Sequence, residues 1–178
     1  MEKDAQILHP LYTGQVMKTP VGNLRLAVSN KGLAAVSWIK KETDFQAFLS
    51  KRFKLPVEPK PNEITWYSDE IEKYLQGSLI NFSFPIDWSI FKPFQLQVLL
   101  TTYAIPYGET RCYSEIAAQM NRPNAARAVG RAEATNPMPL VIPCHRVIGC
   151  DGKLRGYGGG KGLPTKAWLL KLEGAMFV

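Results

Sequence analysis

Pro139-Leu140-Val141-Ile142-Pro143-Cys144-His145-Arg146-Val147-Ile148-Gly149 is an apolar run that climbs to a proline, presents one thiol beside an imidazole, and returns to apolar residues. Val141, Ile142, Val147 and Ile148 are β-branched and favour extended, half-buried backbone. Pro143 has no N–H to give a strand ladder, so the chain is expected to leave regular pairing where Cys144 stands. Such an arrangement holds a cysteine at the rim of a pocket rather than inside a packed sheet. If the segment is extended, Cys144 and His145 point to opposite sides, and direct contact between them is not implied.

Upstream, Asn136-Pro137-Met138 carries the chain into this stretch from a helix expected over residues 125–134. A shorter capped helix, 114–120, precedes it across the turn Asn121-Arg122-Pro123-Asn124. Two short helices joined by a tight turn read as a helix-turn-helix, with two ordinary packed helices as the alternative. Small side chains at Ala125, Ala126 and Ala128 would let the second helix approach a nucleic-acid backbone closely. Further upstream, Pro93 suits the first turn of an apolar helix over 94–105, which Pro106-Tyr107-Gly108 breaks. Downstream, Asp151-Gly152 is a hairpin-turn signal. Gly156-Tyr157-Gly158-Gly159-Gly160 is a glycine loop without the phosphate-binding lysine and hydroxyl pattern, and residues 164–173 close the chain as a helix.

Residues 14–38 read as antiparallel strands. Leu24, Leu26 and Val28 alternate with Asn23, Arg25 and Ala27, and Asn30-Lys31-Gly32 folds residues 33–38 back as a hairpin partner. Thr43 or Asp44 is expected to cap a helix carrying Phe45, Phe48, Leu49 and Phe53. Pro56, Pro59 and Pro61 mark a stiff loop. Ser68-Asp69-Glu70-Ile71 starts a second helix, which Gly77 ends, and residues 81–86 look extended. Nothing in 1–88 reads as catalytic, and its aromatics read as core. Composition changes over 87–93, the expected boundary between a scaffold domain (1–88) and a second domain (89–178).

The two parts differ in charge. Residues 1–88 hold 11 Lys/Arg against 10 Asp/Glu; residues 89–178 hold 11 against 5, with six of the eight arginines. A polyanion-facing module on a nearly neutral scaffold is one reading of that bias, and solubility is the other. Hydrophobic and charged contents of 46% and 21% suit a soluble protein. No apolar run approaches the ~20 residues that cross a bilayer, and residues 1–6 lack the apolar core of a signal peptide. A cytoplasmic setting with reduced thiols is therefore expected. Three cysteines (Cys112, Cys144, Cys150) and two histidines (His9, His145) lack the paired spacing of a structural zinc site, so no metal is expected and Cys112 and Cys150 read as bystanders.

Ile142-Pro143-Cys144-His145-Arg146-Val147-Ile148 resembles the active-site signature of the O6-alkylguanine-DNA alkyltransferases, also called methylated-DNA–protein-cysteine methyltransferases. The likeness runs in order over residues 106–174. It takes in Tyr113, Asn124-Ala125-Ala126-Arg127-Ala128-Val129-Gly130, Asn136-Pro137, Gly156-Tyr157 and the Trp168-Leu169-Leu170 helix that reaches Glu173. The first 88 residues resemble the family's N-terminal half only in length and strand-helix order. The resemblance implies an α/β (α+β) fold, with a small N-terminal antiparallel sheet and helices. Its C-terminal helical domain would be winged helix-turn-helix-like and carry the cysteine.

What it implies for function is DNA repair. O6-alkylguanine in double-stranded DNA would be flipped out and its alkyl group moved irreversibly onto Cys144, once per molecule, by a cytoplasmic monomer without a cofactor. His145, oriented by Glu173, would take the Cys144 proton through a bound water, and Asn136 would tie the preceding turn to the backbone. Tyr113 would donate to the guanine ring nitrogen as negative charge grows there. Carbonyls at Cys144 and Val147 would accept from the exocyclic amine, and the Gly158 N–H would face the alkylated oxygen. Pro139 and Tyr157 would wall the alkyl group, with Gly159 in the same pocket. The helix of residues 124–134 would enter the minor groove, Arg127 filling the gap left by the flipped nucleotide and Ala125 and Ala126 lying against the groove.

Two departures matter. Some relatives carry a hydroxyl residue where Gly158 stands, and some bind zinc through N-terminal Cys and His residues that 1–88, with no cysteine and only His9, does not supply. Two other classes compete. A lesion-binding relative that transfers nothing lacks the nucleophile, which Cys144 argues against. A Cys-His hydrolase is disfavoured by the adjacency of Cys144 and His145 and by the basic helix-turn-helix.

Overall fold

Asn30 and Lys31 close the expected hairpin: β2 (Leu24–Ser29) and β3 (Gly32–Ser37) pair antiparallel, with Leu26 opposite Val36. Gly32 takes φ +128°, and a Cβ there would strike the Pro85 carbonyl, so this turn requires glycine. The structure, a computed structural model, describes residues 9–178; the segment read for a signal peptide lies outside the described residues. β1 (Leu11–Val16) pairs antiparallel with β2, and a short fourth strand, β4 (Val57–Pro59), runs parallel to β1 in the order β3-β2-β1-β4. The sheet is therefore mixed rather than antiparallel, and the proline-marked loop contains a strand. Prolines are tolerated there because β4 is an edge.

Both faces of β2 and β3 are covered. Ala27, Ala34 and Ala35 lie under α1 (Glu42–Phe53) with Phe45 and Leu49, while Leu24, Leu26 and Val28 face the main core. α1 begins before Thr43 and Asp44, and its cap position is Lys41, whose side chain makes no capping bond. Glu42 in its first turn pairs with Arg25 instead. α2 (Thr65–Leu75) starts three residues before Ser68 and is capped by Gln76, with Gly77 turning the chain just beyond at φ +74°. Residues 81–86 form no strand and touch the sheet through one bridge, Leu33 to Ile86.

The C-terminal half is helical: α3 (Pro93–Tyr103), α4 (Tyr113–Gln119), α5 (Ala126–Ala134) and α6 (Leu163–Leu172). The Cys112 N–H donates to the Glu115 carboxylate (2.6 Å) and fixes the start of α4. Asn121, at φ +57°, turns the chain between α4 and α5, so the helix-turn-helix is present. Ala125 sits in the 3-10 turn before α5 rather than in the helix. Val98, Ile116, Val129 and Val147 form the core of this unit. The main core draws on both halves, packing Val16 and Leu26 with Met138, Leu140 and Leu169.

Two expectations fail locally. The cysteine stretch is not extended: Cys144–Arg146 is a 3-10 turn followed by the short β6 (Val147–Ile148). Pro143 leaves the ladder as expected, but the Arg146 N–H then bonds its carbonyl (2.8 Å) and closes a turn. Cys112 and Cys150 are not reduced bystanders but a disulfide. β5 (Arg111–Cys112) pairs parallel with β6, Cys112 opposite Ile148, and the turn from Gly149 brings Cys150 alongside with 5.0 Å between Cα atoms. Among the described residues no helix is long and apolar enough to cross a membrane.

Candidate active site

Cys144, the free cysteine, opens the 3-10 turn at 7% exposure. It stands in the wall of two cavities rather than at a rim. One, of about 330 Å³, is lined by Tyr113, Gly130, Tyr157 and Gly158; the other, of about 170 Å³, by Trp38, Phe48, Asn136 and Pro139. Glu133, Ala134, Cys144 and Gly158 belong to both. The approach is set by strained backbone: buried Leu140 holds φ +82°, a region leucine rarely adopts. Asn136 supports it as expected, accepting from the Met138 N–H (2.9 Å) and donating to the Ile142 carbonyl (3.0 Å).

Behind the thiol lies a closed set of charges. His145 is fully buried, and its Nε2 donates to Glu173 Oε1 at 2.8 Å. Glu173 also accepts from Arg146 Nε (2.8 Å) and Nη2 (3.0 Å) and from the Tyr74 hydroxyl. Arg146 is saturated further by the Ile105 carbonyl (2.6 Å). Burial pushes the Glu173 carboxyl up, but the hydrogen bonds from His145 and Arg146 and the charge of Arg146 outweigh it and hold the group at about 2. An ionised Glu173 fixes the proton on His145 Nε2 and leaves Nδ1, which has no protein partner, as a bare acceptor. Burial lowers the His145 pKa, so the ring is neutral.

The thiol itself is held protonated. Burial first, and the charge of Glu133 second, push Cys144 up to about 12, against an opposing hydrogen bond from Asn136 and the charge of Lys166. Burial of Tyr113 likewise takes its phenol to about 12 and keeps it a donor. Among the described residues, the buried side-chain polar atoms without a partner are Thr13 Oγ1, Glu133 Oε2, His145 Nδ1 and Tyr157 Oη; the last three surround this site.

The structure brings Cys144, Tyr113, Tyr157 and Gly158 to the first cavity and Asn136 and Pro139 to the second, with His145 and Glu173 behind. Val147 and Gly159 line neither. The Val147 carbonyl accepts from Lys166 Nζ (2.6 Å), and Gly159 is wedged so that a Cβ would lie 2.7 Å from both Trp38 and Tyr157. Arg127 is exposed on α5, while Ala125 and Ala126 are half-buried. Four residues near the thiol were not singled out from sequence: Tyr74, Arg146, Lys166 and Glu133. Tyr74, Trp38 and Phe48 are core aromatics of 1–88, as expected, that also reach the site, Tyr74 through Glu173 and the other two in the wall of the second cavity. Lys166 and Glu133 had a signal, since each is a charge on the apolar face of its helix, beside Leu169–Leu170 and Val129 respectively. Tyr74 had none. Among the described residues no group of three His, Cys, Asp or Glu side chains is placed to hold a metal ion.

Two family models match the chain. The 6-O-methylguanine DNA methyltransferase ribonuclease-like domain covers residues 12–88, and the DNA binding domain of the same family covers 93–175. A methylated-DNA–protein-cysteine methyltransferase of Methanosarcina barkeri is 39% identical over 160 residues, 89% of this chain and 94% of the relative. The inducible one of Bacillus subtilis is 42% identical, over 85% and 84% of the two chains. Among solved structures, Mycobacterium tuberculosis OGT in complex with DNA superposes with a TM-score of 0.77 at 36% identity, covering 91% of this chain and 92% of that one.

Proposed function

The chain belongs to the methylated-DNA–protein-cysteine methyltransferase family, and from that membership we propose that it takes O6-alkylguanine out of duplex DNA and moves the alkyl group irreversibly onto its own Cys144. The observation that carries this reading is a free thiol in the wall of a 330 Å³ cavity, beside the helix-turn-helix and backed by a buried His145–Glu173 pair.

The guanine enters the cavity between Tyr113 and Tyr157. The Sγ–C bond forms as the O6–C bond breaks. The thiol proton passes by way of a water to His145 Nδ1, and the purine, leaving with negative charge, is met by the Tyr113 hydroxyl and regains an equivalent proton. The Cys144 carbonyl keeps a lone pair for the exocyclic amine, beyond the bond it takes from the Val147 N–H, whereas the Val147 carbonyl is held by Lys166 outside the cavity. The Gly158 N–H faces the alkylated oxygen. A thiol held neutral at rest resists stray oxidation and is ionised only as transfer proceeds. Since a thioether is not displaced by water, each molecule acts once, without a cofactor.

Residues 1–88 act as the scaffold and 89–178 as the DNA-facing part, a division supported by the +6 surplus of the latter and by the spans of the two family matches. Phosphate contacts make binding salt-dependent and largely sequence-blind. A substrate in the cell's DNA suits the cytoplasm, and one copy supplies every group named, so the chain works as a monomer.

Single-turnover transfer tests the reading. Arg127→Ala should slow reaction with O6-methylguanine in duplex DNA on the order of tenfold, because the side chain offsets a few kcal/mol of lost stacking. Reaction with the free alkylated base should be unchanged. Equal loss on both substrates removes the wedge role, and no transfer by the unaltered chain removes the function.

A further inference from the structure

The transfer described above uses one carboxyl, Glu173 behind His145, yet a second stands beside the thiol. Glu133 lies on the buried face of α5 at 7% exposure and is shared by both cavities with Cys144. Its Oε1 accepts from the hydroxyl of fully buried Thr102 on α3. That bond holds the carboxyl in place and leaves Oε2 buried with no partner. Gly130, one turn earlier on the same helix, lines the first cavity beside it.

We infer that Glu133 Oε2 is a hydrogen-bonding subsite for the alkyl group, so that this protein favours O6-alkyl chains ending in a hydroxyl, such as 2-hydroxyethyl, over apolar chains of the same size, such as propyl. This deepens the reading of Cys144 as alkyl acceptor and rests on it. The bonds made and broken at the transferred carbon are unchanged. A terminal hydroxyl both donates and accepts, so it pairs with Glu133 as carboxylate or as acid. Burial pushes Glu133 up to about 7, against the Thr102 bond and the charge of Lys166 from α6, so both forms occur near neutrality; Cys144 and Tyr113 also face it. A propyl chain excludes water from Oε2 and gives nothing back. A site built around a buried polar group rejects the ligand that leaves it unpaired.

The test offers the full chain a mixture of two duplexes, one with O6-(2-hydroxyethyl)guanine and one with O6-propylguanine, and counts the two thioethers on the Cys144 peptide by mass. The hydroxyethyl product should lead on the order of tenfold. Glu133→Gln, whose amide also donates and accepts, should keep the lead, and Glu133→Met should bring the ratio to one or reverse it. Because both products come from one tube, partial unfolding of a variant does not move the ratio. A ratio near one in the unaltered chain, the same ratio in Glu133→Met, or a Glu133→Gln ratio matching that of Glu133→Met overturns the inference. Absence of both groups from Cys144 overturns the reading of the site itself.

Discussion

Glu173→Ala is expected to lower folding stability by about 3–5 kcal/mol, the penalty for removing one member of a buried ion pair. Glu173 sits at the C-terminal cap of α6, where the helix dipole disfavours a carboxylate, and it is tolerated because Arg146, His145 and Tyr74 converge on it. Its loss leaves the Arg146 guanidinium buried with only the Ile105 carbonyl and Tyr107 ring. The same pairing predicts a pH dependence. The folded carboxyl, at about 2, lies below its ordinary 4.5, so its contribution is complete above 4.5 and is lost as pH falls toward 2. His145 acts in the same direction at higher pH: buried neutral, it withdraws stability as pH falls below its ordinary 6.5. Denaturant unfolding across this range should show both losses in the unaltered chain and a smaller loss between 4.5 and 2 in Glu173→Gln, where Glu70 and Asp151 are the carboxyls still held low. Parallel curves would contradict the ion-pair account.

His145→Gln should slow alkyl transfer by roughly 10²–10⁴-fold, the usual worth of a positioned general base, while duplex binding is retained. The reason is the state of the thiol. With Cys144 pushed up to about 12, thiolate is scarce at neutral pH, so proton removal has to accompany attack. His145 is neutral, fixed by Glu173 in the tautomer that leaves Nδ1 free, and has no other proton to accept. Single-turnover rates on duplex O6-methylguanine measure this directly. A variant as fast as the unaltered chain would remove His145 from the proton path.

Order along the chain carried much of this site. Cys144, His145, Asn136, Tyr113 and Glu173 stand in a sequence of separated matches, and Asn136 makes the backbone bonds expected of it. Tyr74 was illegible because its partners are 71 and 99 residues away, and only the packing of α2 against α6 and the cysteine turn unites them. The disulfide was hidden for a related reason: Cys112 and Cys150 are brought together by a two-residue parallel pairing too short to give a periodic signal. Local propensity misled at the cysteine itself, where β-branched flanks suggested extension and Pro143 instead opened a turn. Propensity also missed β4, since three prolines mask a three-residue edge strand. The hairpin and the helix-turn-helix were legible because turn residues and helical periodicity each act over a few neighbours.

The central claim is that one sulfur accepts the alkyl group and is spent. Intact-protein mass, followed by peptide mapping, after exposure to excess duplex carrying O6-methylguanine tests it most directly. A gain of one methyl per chain is predicted, all of it on the peptide holding Cys144, with no further gain on adding fresh duplex and none in Cys144→Ala. Methyl groups on another residue, or guanine restored in amounts exceeding the protein present, would contradict it.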